Sequence, residues 1–253
     1  MNERIHLRTW GDLACFTRPE MKVERVSYPV MTPSAARGLL ESILYKPQFR
    51  WRVHRIAVRK PIRFLSIRRN EVKETISETQ FKAAANGEPV EVIIADDTTN
   101  KNKGRTQRNT LALREVEYVI EASLELTSLA NRPRRKPPCE DEPDGDDNPP
   151  KYFGMFRRRA ESGQCFARPC FGCREFPADF ELADETAMRV EPNPNVDTDL
   201  GLMLYDVFDL DMMHELGRVQ ASPQRTFFPA RLEKGLVTIP AWTEIKHQLG
   251  GAA

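Results

Sequence analysis

The chain has 253 residues, of which 40% are hydrophobic and 30% charged, a composition typical of globular proteins. No apolar run approaches the roughly 20 residues of a membrane helix, and the charged residues 1–6 precede no apolar stretch. A membrane-spanning protein is therefore excluded, and we expect a cytoplasmic protein without a secretory signal. The five cysteines are an odd number, which disfavours a framework of disulfides.

The net charge of +1 conceals a strong segregation of charge along the chain. Residues 46–69 contain nine Lys or Arg and no acid, whereas residues 140–147 contain six acids and no base. A basic stripe within a balanced total is typical either of a surface that holds a polyanion or of a solvated strand face. Charge alone does not decide between these two interpretations.

The N-terminal part of the chain predicts a strand, a helix and a second, basic strand. Residues 3–10 alternate apolar and charged side chains, as a half-buried strand does. Thr32 is a suitable N-cap for a helix, which Pro47 ends. A long basic strand is expected over residues 51–67, with a break near Pro61.

The middle of the chain predicts a polar insertion followed by the clearest strand. Residues 70–89 form a polar segment, and residues 90–94 predict a short strand after it. Residues 96–109 are expected to form a basic loop. Along residues 115–126, apolar side chains alternate with glutamates. This alternation predicts a strand with one face in the core and the other in water.

The next stretch predicts a linker, a helix and a strand. Residues 131–150 are rich in Pro and charge, which predicts a flexible loop. Apolar residues at helical spacing from Tyr152 predict a helix that Gly163 closes. Residues 173–182 then predict another strand.

Taken in chain order, these elements predict an α+β fold. The order is that of a ferredoxin-like, RNA-recognition-type βαββαβ domain with an inserted hairpin, which would span residues 1–183. Residues 184–253 hold short apolar segments between Pro and Gly. They predict a small β-rich C-terminal domain appended to the first.

Two groups of side chains could bind a metal ion. Cys165, Cys170 and Cys173 have the spacing of three iron–sulfur ligands, and Cys139 is a conceivable fourth. We favour buried thiols, because no Cys follows Cys173 and Cys139 lies in the acidic loop. The acids of residues 140–147 could indicate a two-metal nuclease, but a loop with Pro and Gly does not hold carboxylates rigidly. We therefore predict neither a metal site nor a cofactor.

Several motifs resemble one protein family. They are W-G-D at 10–12, C-F-T-R-P-E-M-K-V-E-R-V-S-Y at 15–28, T-P-S-A-A-R-G at 32–38, I-R-R-N-E-V at 67–72 and G-C-R-E-F-P-A at 172–178. The chain resembles the type I-C CRISPR-associated subunits that process CRISPR RNA (crRNA), a branch of the repeat-associated mysterious proteins. The resemblance extends from residue 4 to about residue 182.

The resemblance implies a function that fold and charge cannot supply. Proteins of this family cut precursor crRNA at the base of each repeat hairpin, without metal, by attack of a ribose 2′-OH on the neighbouring phosphate. They then remain bound to the crRNA 5′ handle beside a backbone subunit and a large subunit, in a complex that finds target DNA. The expected partners are these RNA and protein components. The alternative is a non-catalytic subunit that only caps the 5′ handle.

The resemblance also points to catalytic residues, although two positions depart from the family pattern. The family has a Tyr at the end of its first helix and a Lys–His pair opening its second. Here the Tyr position is Leu44, with Tyr45 one place later, and the pair is Lys151 and Tyr152. We predict Tyr45, Lys151 and Tyr152 as catalytic residues. For Tyr152, a core aromatic is an equally good interpretation, and the two departures keep the non-catalytic alternative open.

RNA binding is expected from basic side chains with interleaved aromatic residues, which hold phosphates and stack on unpaired bases. His54 lies within the basic strand and could also carry a proton. The predicted RNA-binding residues are Trp10, Lys22, Arg25, Tyr28, Lys46, His54, Arg59, Arg63, Arg68, Arg69, Lys103, Arg105, Arg108, Arg157 and Arg158.

Overall fold

The computed structural model describes residues 3–21, 23–72, 76–90, 105–131, 147–207 and 224–250. Within them the fold is α+β, as predicted, with strands joined in one sheet and helices packed against it. No described helix is long and apolar enough to cross a membrane. The strands are β1 (Ile5–Ala14), β2 (Arg25–Val26), β3 (Phe49–Val58), β4 (Phe64–Val72), β5 (Arg105–Leu126), β6 (Asp179–Ala183), β7 (Thr198–Asp206), β8 (Thr226–Glu233) and β9 (Leu236–Thr238). The helices are α1 (Pro33–Ile43), α2 (Glu78–Ala85), α3 (Pro149–Glu161) and α4 (Trp242–Ile245), with 3₁₀ turns at Glu185–Met188 and Lys246–Gly250.

The sheet has the strand order β6-β1-β5-β3-β9-β8-β7. The first half of β5 also pairs with β4, and β2 adds a short parallel pairing there. The predicted loop over residues 96–109 is therefore wrong for residues 105–109, because β4 supplies backbone partners that a polar sequence does not reveal. The predicted break in the basic strand is confirmed, since β3 and β4 are separated around Pro61. Val92 and Ile94 lie outside the described residues.

One face of the sheet, which we call the inner face, carries α1 and α3. α1 begins as predicted: Thr32 Oγ1 accepts the N–H of Ala35 at 3.3 Å, and Pro33 opens the helix. The largest side chain of this layer is Trp51, whose ring lies 4.7 Å from that of Phe156 on α3. Burying each such aromatic side chain stabilises the fold by roughly 1.5–3 kcal/mol.

The opposite face, the outer face, corrects the expectation of a wet glutamate face on β5. Glu121 is only 1% exposed and Glu117 is also buried. The 3₁₀ turn Glu185–Met188 folds over this face, and Met188 packs against Val119. Carboxylates tolerate such burial only when cations pair with them, and β1 and β3 supply arginines on both sides of β5.

The C-terminal strands continue the same sheet. β9 pairs with β3, so that Ile56 lies opposite Val237. From α1, the buried Arg37 reaches Asp206 of β7 with two hydrogen bonds of 2.9 and 3.1 Å. The division into domains at residues 183 and 184 stays a prediction.

Candidate nucleic-acid interface and cleavage site

The C-terminal end of α1 is fixed by donors from other elements, because the last carbonyls of a helix have no partner within it. The contacts are Phe166 N and Ala167 N to Ser42 O (2.7 and 3.1 Å), Arg159 Nη1 to Ile43 O (2.9 Å) and Trp51 Nε1 to Leu44 O (3.1 Å). We call residues 42–46 together with residues 162–168 the α1 corner. Its backbone is held to α3 and β3.

At the α1 corner, the side chains of Leu44 and Tyr45 point to different environments. Leu44 is fully buried, whereas Tyr45 is 49% exposed. The resemblance places the family's catalytic Tyr at position 44, where the side chain belongs to the core. A ligand can reach Tyr45 instead, so the accessible phenol at this corner is one residue after the family position.

The start of α3 holds Lys151 and Tyr152 in a network around Asp147. The Tyr152 hydroxyl donates to Asp147 Oδ1 at 2.5 Å, and Lys151 Nζ lies 3.7 Å from the same oxygen. The backbone N–H of Asn131 donates to the other carboxylate oxygen at 3.0 Å. This carboxylate therefore orients both Lys151 and Tyr152 in the first turn of α3.

Tyr152 is a core aromatic, the alternative that the sequence left open. Its side chain is 2% exposed, and its ring centroid lies 4.7 Å from that of Phe49, which begins β3 directly after the α1–β3 connection. That connection carries Tyr45, so Tyr45, Lys151 and Tyr152 belong to one end of the inner layer. Their catalytic roles stay predictions.

On the outer face, the basic strand is neutralised by the glutamates of β5. We call these ion pairs the outer-face ladder. They are Arg4–Glu121 (2.6 Å), Arg55–Glu121 (2.5 Å), Arg8–Glu117 (2.9 Å), Arg59–Glu117 (3.3 Å), Arg52–Glu125 (3.0 Å) and Arg50–Glu125 (2.9 Å). The sequence left the charge stripe of residues 46–69 open as a polyanion surface or a solvated strand face. Four of its nine cations, Arg50, Arg52, Arg55 and Arg59, are paired within the sheet.

Glu121 is the centre of this ladder. Burial alone would raise the pKa of its carboxyl group, but hydrogen bonds from His6 and Arg55 and the charges of Arg55 and Arg4 outweigh burial. Together they lower the pKa of Glu121 to about 2. Glu121 therefore stays ionised throughout the neutral range and holds the surrounding cations in place.

His54, predicted as an RNA contact and possible proton carrier, lies on this ladder. Its Nε2 is 2.7 Å from Ser123 Oγ. Burial lowers the pKa of His54, and the charges of Arg4 and Arg52 lower it further. A lowered pKa favours the neutral imidazole, which disfavours His54 as a charged contact for phosphate.

Arg25 and Arg69, two further predicted RNA contacts, meet in a second ion-pair cluster. Arg25 lies 3.0 Å from a carboxylate oxygen of Glu175 and 3.3 Å from one of Glu71. Arg69 pairs with both of these glutamates as well. The cluster ties β2 and β4 to the segment that precedes β6.

A pair of thiols adjoins this cluster. Cys173 donates to the Cys15 carbonyl at 3.8 Å, and Arg25 Nη1 lies 3.6 Å from Cys173 Sγ. The hydrogen bond with the Cys15 thiol, followed by the charge of Arg25, lowers the pKa of Cys173 although burial opposes the shift. The same hydrogen bond raises the pKa of Cys15. Sequence spacing did not predict this pairing, because Cys15 and Cys173 are distant in the chain.

The remaining predicted RNA contacts are spread over the molecule. Tyr28 is buried, and its hydroxyl accepts the N–H of Leu204 at 3.2 Å, so its ring is not available to a base. Arg59 also donates to the carbonyls of Ala187 and Arg189, which fixes the segment over the outer face. Trp10 lies beneath Arg8, Arg63 pairs with Glu115, Arg157 pairs with Glu3, and Arg68, Arg105 and Arg108 belong to the β4–β5 hairpin. Lys22 and Lys103 lie outside the described residues.

The cysteines of the C-x4-C-x2-C motif have different environments. Cys165 is exposed, Cys170 is half-buried and Cys173 is buried against Cys15. Among the residues that the structure describes, no three His, Cys, Asp or Glu side chains are grouped so that they could hold a metal ion. Cys139 and most of the acidic run lie outside that part of the chain.

Comparison with known proteins identifies the family. The family model described as CRISPR-associated protein (Cas_Cas5) matches residues 5–240. The "CRISPR pre-crRNA endoribonuclease Cas5d" of Mannheimia succiniciproducens is 44% identical over 95% of this chain and 96% of its own, and that of Thermus thermophilus is 37% identical over 94% and 92%. A crystal structure of a CRISPR-associated protein shares the fold, with a TM-score of 0.58, 19% identity and coverage of 96% of this chain and 95% of its own. This chain belongs to the Cas5d family of CRISPR-associated proteins.

Proposed function

We propose that this chain is a pre-crRNA endoribonuclease that cuts the repeat hairpin and stays bound to the crRNA 5′ handle. The observation that carries the proposal is the 44% identity, over nearly the whole chain, to a protein named for that activity. The expected protein partners are a backbone subunit and a large subunit of a type I-C surveillance complex. A surface that combines an exposed Tyr with basic residues suits this role.

The ferredoxin-like architecture is part of the proposal. The strands β6-β1-β5-β3 are all antiparallel neighbours, with α1 between β1 and β3 and α3 between β5 and β6 in the chain. This is the order of a βαββαβ unit. The β4–β5 hairpin then corresponds to the predicted insertion, and β7–β9 extend the sheet beyond β3.

The chemistry would take place beside the α1 corner. Attack of a ribose 2′-OH on the neighbouring phosphate forms the bond from O2′ to phosphorus, with the 2′-OH proton passing to a water molecule. The bond from phosphorus to the 5′-oxygen breaks, which leaves a cyclic phosphate and a free 5′-OH. The leaving oxygen needs a proton, which the accessible hydroxyl of Tyr45 would donate. The Lys151 ammonium group would stabilise the charge of the phosphorane. We propose Tyr152 as a positioning residue, because its hydroxyl already donates to Asp147.

The second candidate function is a subunit that binds the 5′ handle without cutting RNA. It is favoured by the buried Leu44 and Tyr152 at the two positions where the family has Tyr and His. RNA binding does not require either hydroxyl or imidazole. The two candidates therefore share an interface and differ only in the chemical step.

Incubating the purified protein with a labelled cognate repeat hairpin in EDTA distinguishes the candidates. A single cut that leaves a cyclic phosphate supports the metal-independent nuclease, and tight binding without a cut supports the capping subunit. An absence of both binding and cutting would overturn the two together.

Lys151→Ala tests the proposed cleavage site. We expect a larger loss of cleavage than of handle binding, because the ammonium group acts mainly on the charge of the transition state. Single-turnover cleavage and equilibrium binding should be measured on the same RNA. Equal losses in both would assign Lys151 to phosphate positioning alone.

A further inference from the structure

We propose that Phe166 stacks on an unpaired base of the repeat RNA next to the hairpin, an inference that rests on the proposed function. Phe166 lies in the α1 corner, in the segment that follows α3. Neither the charge pattern nor the family motifs single it out. Its backbone N–H bonds to the carbonyl of Ser42, three residues before the accessible Tyr45 in the chain.

The backbone around Phe166 is ordered by specific contacts. Gly163 adopts a left-handed conformation, with φ of 65°, and Gln164 N donates to the Arg159 carbonyl at 2.8 Å, which ends α3. Two residues later, the N–H groups of Phe166 and Ala167 both bond to the Ser42 carbonyl. The loop therefore presents Phe166 from a fixed backbone.

The side chain of Phe166 is nevertheless 84% exposed, the highest value among the large hydrophobic residues of the described ranges. A phenylalanine side chain exposed to water lacks the stabilisation that burial would supply. An exposed aromatic side chain on an ordered loop is therefore a candidate contact with a binding partner, against which it would become buried. The aromatic ring has a free face on which another planar group can stack.

The charges beside Phe166 indicate which partner it fits. Along the chain, Lys46 follows Tyr45 and Arg168 lies two residues after Phe166, and Arg158 lies on the last turn of α3. Within the described ranges, no carboxylate lies at salt-bridge distance from any of these three cations, in contrast to the arginines of the outer-face ladder. In proteins that bind single-stranded nucleic acid, unpaired cations bind the phosphates and neighbouring aromatic rings stack on the bases.

A matched pair of variants tests the assignment. Phe166→Ala is compared with Phe81→Ala, a change at another exposed phenylalanine, 68% exposed on α2. We expect Phe166→Ala to weaken binding of the repeat hairpin by about tenfold or more, the effect of losing one base stack. Phe166→Trp should retain binding, Phe81→Ala should change it less than twofold, and thermal stability should be unaffected in all three.

A series of hairpins, each with one abasic nucleotide in its unpaired flanks, identifies the base. The inference predicts one position at which wild type and Phe166→Ala bind equally, because the stack is already lost. If the wild type binds the hairpin and Phe166→Ala binds it equally well, the inference is overturned and the proposed function stands. If Phe166→Ala binds RNA normally but no longer assembles with other subunits, the inference is also overturned, and Phe166 belongs to a protein interface. A wild-type protein that does not bind the hairpin would overturn the proposed function itself.

Discussion

The outer-face ladder and the α1 corner contain the same kinds of side chain in opposite states. In the ladder, arginines of β1 and β3 pair with Glu117, Glu121 and Glu125, and the carboxylates are mostly buried. At the α1 corner, cations and two aromatic side chains face solvent without carboxylate partners among the described residues. Basic density in the sequence therefore does not by itself locate a polyanion site, and we expect the unpaired cations of the α1 corner to bind RNA in preference to the paired arginines of the ladder.

The difference has an energetic basis. A buried carboxylate surrounded by cations stabilises the fold only as a complete set, and removing one member leaves uncompensated charge. An exposed, unpaired cation contributes little to stability but releases counterions when phosphate binds. The ladder should thus respond to mutation in stability, and the α1 corner in RNA binding and cleavage.

The largest effect is expected from Glu121→Gln. This change leaves Arg4, His6 and Arg55 without their shared carboxylate, and we expect a loss of about 3 kcal/mol in the free energy of unfolding. Denaturant unfolding measures it. The control is Glu115→Gln, which removes an exposed partner of Arg63 and should cost less than about 1 kcal/mol. Similar losses in both variants would mean that the ladder is not a structural unit.

Tyr45→Phe should lower the single-turnover cleavage rate by about 100-fold without changing stability, because it removes a general acid from an exposed position.

Tyr152→Phe should lower the stability of the fold more than the cleavage rate. It should cost about 1 kcal/mol of stability through the lost hydrogen bond to Asp147, with a smaller effect on cleavage. If Tyr152→Phe abolished cleavage and Tyr45→Phe did not, the two assignments would have to be exchanged.

The pH dependence of stability sharpens the role of Glu121. Its folded-state pKa is lowered to about 2 from an ordinary value near 4.5. The stability that it contributes is fully present above that ordinary value and is lost as the pH falls towards 2. The difference in unfolding free energy between wild type and Glu121→Gln should therefore shrink as the pH falls from about 5 to 2. A difference that stays constant over this range would refute the assignment.

The sequence predicted most of the inner layer but not the pairing across the sheet. α1 was predictable from Thr32 and Pro47, since both act locally on one helix. The burial of Glu121 was not, because its counter-ions are Arg4, just before β1, and Arg55 on β3, both distant along the chain. The alternating glutamates opposite an arginine-rich strand were the one signal that could have indicated it.

The same limit applies to the candidate site. Family motifs led to Tyr45, Lys151 and Tyr152, whose shared location at one end of the inner layer fits that prediction. The exposure of Phe166 depends on hydrogen bonds to Ser42, which no local pattern encodes. Leu44 and Tyr152 show why a motif position alone is insufficient, because both side chains are buried.

If pairing with carboxylates decides which cations bind RNA, two adjacent arginines of β4 should respond differently to substitution. Arg68 is exposed and, within the described residues, has no carboxylate partner, whereas Arg69 pairs with Glu71 and Glu175. The measurement is the salt dependence of repeat-hairpin binding for Arg68→Ala and Arg69→Ala. We predict that Arg68→Ala flattens the slope by roughly 0.7 to 0.9, as one lost phosphate contact does, and that Arg69→Ala changes stability but not the slope. A flatter slope for Arg69→Ala, with none for Arg68→Ala, would contradict the claim.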